Sequence, residues 1–205
     1  QAFGAGRTAD IGRATRQGIW LGSFLFIPAF LLLWNAKIIL LKLGQNPETA
    51  SLAAAYLRAI AWGLLPALWI SALRGMLEGL SQTRPIMLVS LLGVGLNIVA
   101  NNALMFGRWG LPALGVIGTG YASSFVYFMM FLSIAFYSSW RFKEHAIFRK
   151  LRFPDPHMLW ELMRIGVPIS LTLGFEVAMF SVTSFLMGYL GATELAAHQI
   201  AMQSA

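Results

Sequence analysis

Glu176 stands alone as a charged residue in the apolar run from Ile165 through Gly166, Pro168 and Phe175 to Leu190 and Gly191. A carboxylate at the middle of a bilayer costs about 2.5–3.5 kcal/mol on insertion scales. Chains keep that cost where a proton, a cation or a cationic ligand meets the acid, so Glu176 is the first candidate for an ion- or substrate-coupling residue. A carboxylate alone can take a proton. As a Na+ ligand it needs further oxygens around it. The competing reading is a protonated Glu hydrogen-bonded inside a helix bundle. A second constellation is Asn97 and Asn101, four apart and so on one helical face, with Asn102 turned about a quarter of the way round. Amides in hydrocarbon need partners. They either form a polar pocket for a cation, proton or substrate, or bond between helices for about 0.6–2 kcal/mol. Ser123 and Ser124 can face that pocket, or serve as small residues where helices touch. His198 and Gln199 can titrate or contact a ligand, or satisfy a helix interface. Phe175, Met179, Phe180, Phe185 and Met187 surround Glu176 in sequence. Such a wall suits flat lipophilic cations through dispersion and cation–π contact, although Phe and Met in a span more often pack or face lipid.

These residues must be held at membrane depth. Hydrophobic residues make up 58% of the chain and charged residues 11%, which is outside soluble composition. A span needs about 20 apolar residues. Five runs qualify, near 18–41, 50–73, 86–106, 116–140 and 162–190, and a sixth begins near Thr193. The expected fold class is an all-α membrane protein, a polytopic helix bundle. Trp20 and Trp34 mark the ends of the first run, where aromatic belts form. Lys37 lies near one end and can snorkel. Gly44-Gln-Asn-Pro47 is a turn, Pro66 is placed to kink the second span, and Arg58 lies close enough to an end to reach the interface. Arg74 and Glu78, one turn apart, can pair. Pro85 suits a first helical turn. Small residues from Gly118 to Ser124 let helix backbones approach closely.

The segment 141–160 breaks the pattern with Arg141, Lys143, Arg149, Lys150, Arg152 and Pro154-Asp-Pro156, and reads as a basic linker. Alternating spans place 1–16, 79–85 and 141–160 on one side and 42–49, 107–115 and 191–194 on the other. Nine Lys or Arg (Arg7, Arg13, Arg16, Arg84, Arg141, Lys143, Arg149, Lys150, Arg152) lie on the first side, against Lys42 and Arg108 on the second. The positive-inside rule makes the first side cytoplasmic. The positive charge is thus explained by topology and anionic headgroups, with no call for nucleic acid. There is no cysteine, hence no disulfide, thiol nucleophile or thiolate metal site. His145, His157 and His198 lack metal-ligand spacing, no second acid accompanies Glu176, and no phosphate-binding glycine loop follows a strand, so an enzyme or ATP-driven pump has no support. The chain opens on a loop-like stretch at Gln1 and stops within the apolar segment from Leu195, which suggests a piece of a larger membrane protein.

A series of short motifs resembles the NorM-type branch of the multidrug and toxic compound extrusion (MATE) family along the whole chain. They run from Arg16-Gln-Gly-Ile-Trp20 and Leu33-Trp-Asn-Ala36 through Tyr56-Leu-Arg58, Trp62-Gly63 with Pro66, Glu78-Gly79 and Thr83-Arg-Pro85. Asn97, Asn101, Gly107, Leu114-Gly115, Gly118-Thr-Gly120 and Ala122-Ser123 continue the series. Gly166-Val-Pro168, Phe175-Glu176, Phe180, Leu190-Gly191 and Ala197-His-Gln199 complete it.

The resemblance implies a fragment of a twelve-helix, two-lobe fold. Residues 1–140 would be helices three to six of the N-terminal lobe, 141–160 the cytoplasmic inter-lobe linker, and 161–205 helix seven and the start of helix eight. It further implies a secondary active antiporter of the bacterial cytoplasmic membrane. Such a protein exports cationic lipophilic drugs against inward Na+ or H+, with no cofactor beyond the coupling ion, and is a monomer in the lipid bilayer when full length. Glu176 matches the seventh-helix acid of the second-lobe cation site, whose usual companion on helix ten lies outside this chain. Asn97 and Asn101 match the polar pair of the first-lobe site, where some members carry Asp in place of Asn101. Ser123 stands where a Thr is common. Phe175, Met179, His198 and Gln199 are candidates for lining the substrate cleft. The alternative is a lipid-linked oligosaccharide flippase of the same superfamily. Those clefts carry several basic residues, and here only Arg58 comes near mid-membrane.

Overall fold

The computed structural model describes residues 8–142, 154–190 and 200–202. Among them there are helices and no strand. The helices are α1 (Thr8–Trp34), α2 (Ala36–Lys42), α3 (Pro47–Gly79), α4 (Arg84–Phe106), α5 (Gly115–Arg141) and α6 (Pro156–Leu190), with one 3-10 turn at Arg108–Gly110. All but α2 are long and apolar enough to cross a membrane. The chain divides into two compact units, Gln1–Asp155 and Pro156–Ala205.

The first expected span, 18–41, is two helices. The break is at Asn35. Its side-chain amide donates to the Leu31 carbonyl at 2.8 Å, and its own carbonyl accepts from the Ile38 amide at 3.1 Å. A short amide side chain competes with the ladder in this way. The Trp34 carbonyl is thereby freed, and Arg58 Nε on α3 donates to it at 3.0 Å. Arg58 thus reaches the end of α1 from about three turns into α3.

The next turn is built locally. Asn46 caps α3 by accepting from the Glu48 amide at 2.9 Å, and Pro47 occupies the first helical position. At about 1.5 Å per residue, the 33 residues of α3 exceed the roughly 30 Å hydrocarbon thickness. The helix runs through Pro66 without a break. Arg74 and Glu78 form no ion pair. Gly107, at φ 69°, ends α4 in the left-handed conformation, and a Cβ there would lie 2.8 Å from the Ala113 nitrogen. The Leu114 amide then bonds back to the Leu104 carbonyl at 2.9 Å.

Within the first unit the helices pack in the order α1, α3, α5, α4, with α3 and α5 central. Adjacent contacts give their directions. Gly18 meets Ala72 and Gly22 meets Leu68, so α1 and α3 are antiparallel. Gly120 meets Tyr56 and Ala59, and Gly63 meets Ser124, so α3 and α5 are parallel. Gly118 meets Leu104 and Gly93 meets Met130, so α4 and α5 are antiparallel. Small residues carry each crossing, because in lipid close backbone approach replaces the hydrophobic drive between helices. Ile19, Ile70, Leu73, Met76, Leu77, Leu80, Ile86 and Ile134 form a buried cluster toward the end of the unit that carries Arg84. Trp69 joins α1 by donating to the Ser23 hydroxyl at 3.0 Å, and its ring lies 5.1 Å from that of Phe131.

In the second unit α6 begins at Pro156, earlier than the expected start near Leu162. It therefore takes in the last part of the expected 141–160 linker, including Trp160. Pro156 supplies the fixed φ that suits a first turn. The sixth expected span lies outside the described residues apart from the helical Ile200–Met202.

Candidate ion and substrate sites

The two constellations belong to different units and are built differently. In the first unit, Asn97 and Asn101 lie on α4, as the four-residue spacing requires. Asn101 Nδ2 donates to Asn97 Oδ1 at 2.8 Å. The pair therefore uses one donor and one acceptor on each other and fixes both amides. Asn101 Oδ1 and Asn102 Oδ1 are buried and accept no hydrogen bond. An unsatisfied buried acceptor costs about 1–3 kcal/mol. Two carbonyl oxygens with free lone pairs one residue apart are suited to a proton donor or a hard cation, which prefers oxygen ligands. Asn102, read from sequence as turned away, thus contributes an open acceptor of the same kind.

Ser123 and Ser124 separate. The α4–α5 register puts Ser123 at a depth between Asn97 and Asn101, half-buried on α5. Ser124 is instead turned toward α3, where its hydroxyl donates to the Ala59 carbonyl at 2.7 Å and its Cα lies against Gly63. Ser124 is a helix-contact residue and does not belong with the asparagines.

In the second unit, Glu176 sits on α6 and is exposed, as are its neighbours Phe175 (73%) and Met179 (67%). Phe180, one turn on from Glu176, is exposed as well. Phe185 and Met187 lie farther along the same helix. Helical periodicity places Thr172, Met179, Phe180 and Thr183 on the Glu176 face. Sequence reading passed over the two threonines. Thr172 Oγ1 donates to the Pro168 carbonyl at 3.1 Å and Thr183 Oγ1 to the Met179 carbonyl at 2.8 Å. With its proton engaged along the helix, each hydroxyl keeps its lone pairs for an outside donor or cation. Thr172 lies one turn, about 6 Å, from Glu176, close enough for both to reach one ion. The signal was available in the threonines' spacing from Glu176, four residues before and seven after, which puts both hydroxyls on its face. His198 and Gln199 lie outside the described residues. Among those described, no group of three or more His, Cys, Asp or Glu comes together. On the Glu176 face of α6, the described oxygen-bearing side chains are this one carboxylate and the two threonine hydroxyls.

Three comparisons bear on this geometry. The MatE family model matches residues 1–103. A probable multidrug resistance protein NorM from Synechocystis sp. is 39% identical over 206 residues, which span 100% of this chain and 45% of that protein. In solved structures, an inward-facing conformation of a multidrug resistance MATE family transporter of the MOP superfamily superposes with a TM-score of 0.72. That match covers 96% of this chain and 49% of the other at 22% identity, a likeness of fold. The chain spans about half the length of the relatives it matches.

Proposed function

The chain belongs to the MatE family, and on that premise we propose that it forms part of a secondary active antiporter. The antiporter exports cationic, lipophilic small molecules from a bacterial cell across its cytoplasmic membrane, in exchange for inward Na+ or H+. The observation that carries this reading is Glu176, alone in its apolar run with Phe175, Met179 and Phe180 around it on α6. The acid supplies the charge a cationic drug seeks, and the rings and thioether supply its apolar contact. In this reading residues 1–140 belong to one lobe, 161–205 to the other, and 141–160 to the cytoplasmic connection. The monomer is the working unit, and Asn97, Asn101 and Ser123 form a second polar site in the first lobe.

The mechanism is competition for one carboxylate. A proton on Glu176, or Na+ held by Glu176 and Thr172, cancels the charge that holds the drug cation. If the ion lowers drug affinity by some factor, the drug lowers ion affinity by the same factor. An inward ion gradient then drives release on the outside. The ion must also bind the two lobe arrangements unequally, because a ligand with equal affinity for both shifts neither.

The test is ethidium efflux by the full-length protein in everted vesicles, with a sodium pulse and a pH jump applied separately. Glu176→Gln keeps shape and removes charge. Efflux triggered by one of the two ions should fall about tenfold or more in the variant, with insertion unchanged. That is the loss expected when 1.4 kcal/mol or more of coupling is removed. Efflux equal to wild type would remove Glu176 from the coupling. Correctly inserted protein that moves no cationic dye, yet moves a lipid-linked oligosaccharide, would favour a flippase.

A further inference from the structure

On the side of the 42–49 turn, α3 carries a stripe whose chemistry changes with depth. Ser51, at the outer end, accepts from Lys37 Nζ of α2 at 3.4 Å. Arg58 lies about two turns deeper on the same face, since seven residues return nearly to the starting angle. Trp62 is one turn deeper still and 60% exposed. The Arg58 guanidinium lies 5.5 Å from the Trp34 ring centre, Trp34 and Trp62 meet edge-on at 6.4 Å, and Phe30 contacts both rings.

Arg58 is held in place rather than free to swing. Its Nε is spent on the Trp34 carbonyl that the Asn35 break released. The two terminal nitrogens keep four N–H donors in a fixed plane, and the residue is exposed. A guanidinium fixed this way is arranged for two parallel bonds to a phosphodiester. Side chains on a helix lean toward its N-terminus, here toward the outer edge, so Arg58 reaches up to headgroup depth with Trp62 below it. Lys37, Lys42 and Arg58 outweigh Glu48, the one acid at this end of α3. The order of the stripe, with cations above and aromatic rings below, is that of a phospholipid with its phosphate up.

We propose that Arg58 and Lys37, with Trp34, Trp62 and Phe30 beneath, seat one anionic phospholipid, the phosphate on the guanidinium and an acyl chain along the rings. The site is independent of the transport reading, since it needs only that α1 and α3 lie in a bilayer.

The experiment is native mass spectrometry of the full-length protein released from nanodiscs of equal phosphatidylglycerol and phosphatidylcholine. Wild type should retain phosphatidylglycerol selectively. Lys37→Gln leaves the Trp34 carbonyl capped and should reduce that retention about fivefold, the change expected for one basic residue near an anionic headgroup. Arg58→Gln should reduce it further. Arg108→Gln, on the same side of the membrane but away from the stripe, should leave it unchanged. Equal losses from Arg108→Gln and Lys37→Gln would reduce the effect to general surface charge and overturn the seat. So would unchanged phosphatidylglycerol retention in Lys37→Gln, whatever Arg58→Gln does to stability.

Discussion

The amide oxygen of Asn101 carries a cost that its neighbour Asn97 does not relieve. Asn101 gives its Nδ2 to Asn97 and leaves its Oδ1 buried without a donor. If the residue served packing alone, replacing it with Leu would lose a hydrogen bond worth about 0.5–1.5 kcal/mol. If it is kept for an ion, Asn101→Leu removes a standing cost of similar or larger size. The thermal midpoint of the detergent-solubilised full-length protein should then stay level or rise in Asn101→Leu, while ion-triggered efflux falls. Asn97→Leu should lower the midpoint, because it takes from Asn101 Nδ2 the acceptor it has. A lower midpoint in Asn101→Leu than in Asn97→Leu would mean that Asn101 is structural. At this scale the sequence showed which residues could be polar together, because four-residue spacing sets a helical face. It did not show which lone pairs were left over. That depends on the direction a hydroxyl or amide takes, and it hid the open Asn102 oxygen and the engaged protons of Thr172 and Thr183.

Between elements, the contact of α3 with α5 is a tight constraint on the first unit. A Cβ on Gly63 would lie 2.7 Å from the Ser124 Cα, and backbone cannot yield as a flexible side-chain tip can. Gly63→Ala should therefore destabilise the bundle by about 1–3 kcal/mol, the range for forcing volume into a packed contact. Gly75, on the same helix, has open space at its Cβ position, so Gly75→Ala should be neutral or stabilising by up to about 1 kcal/mol. Unfolding in graded denaturant reads both. Equal effects from the two variants would show that helix propensity alone governs these positions. Five membrane-crossing helices were legible because run length and apolarity are local properties. The break at Asn35 was not, because the run 18–41 is apolar on both sides of it. What ends α1 is the Asn35 amide competing for carbonyls, with Arg58 arriving from 24 residues away in sequence to take the one set free. The two serines show the same limit. Ser123 and Ser124 are identical in type, and only the crossing of α3 with α5 decides that Ser124 bonds Ala59 while Ser123 lies at the depth of the asparagines.

Across the molecule, the division between the two units falls within the segment that charge and proline had marked, and its near side is pinned to α1. Contacts with α1 hold Asp155. Its carboxylate pairs with Arg13, and its backbone amide donates to Gln17 Oε1 at 3.0 Å, across 138 positions of sequence. The ion pair looks like the stronger of the two, but solvent reverses the order. Arg13 is 57% and Asp155 25% exposed at the side chain, so the pair sits in the range of about 0.2–1 kcal/mol and weakens with salt. Gln17 is buried, with 5% exposure. Replacing it with an apolar side chain takes that acceptor away, at about 1–3 kcal/mol. In the full-length protein Gln17→Leu should therefore destabilise more than Asp155→Asn. The Asp155→Asn effect should shrink as NaCl is raised from about 0.05 to about 0.5 M, while the Gln17→Leu effect holds. A double-mutant cycle between Arg13→Gln and Asp155→Asn should return a coupling under about 1 kcal/mol. A coupling several times larger and insensitive to salt would place the ion pair, rather than the buried amide, in control of how the first unit holds the chain at the point where it leaves for α6.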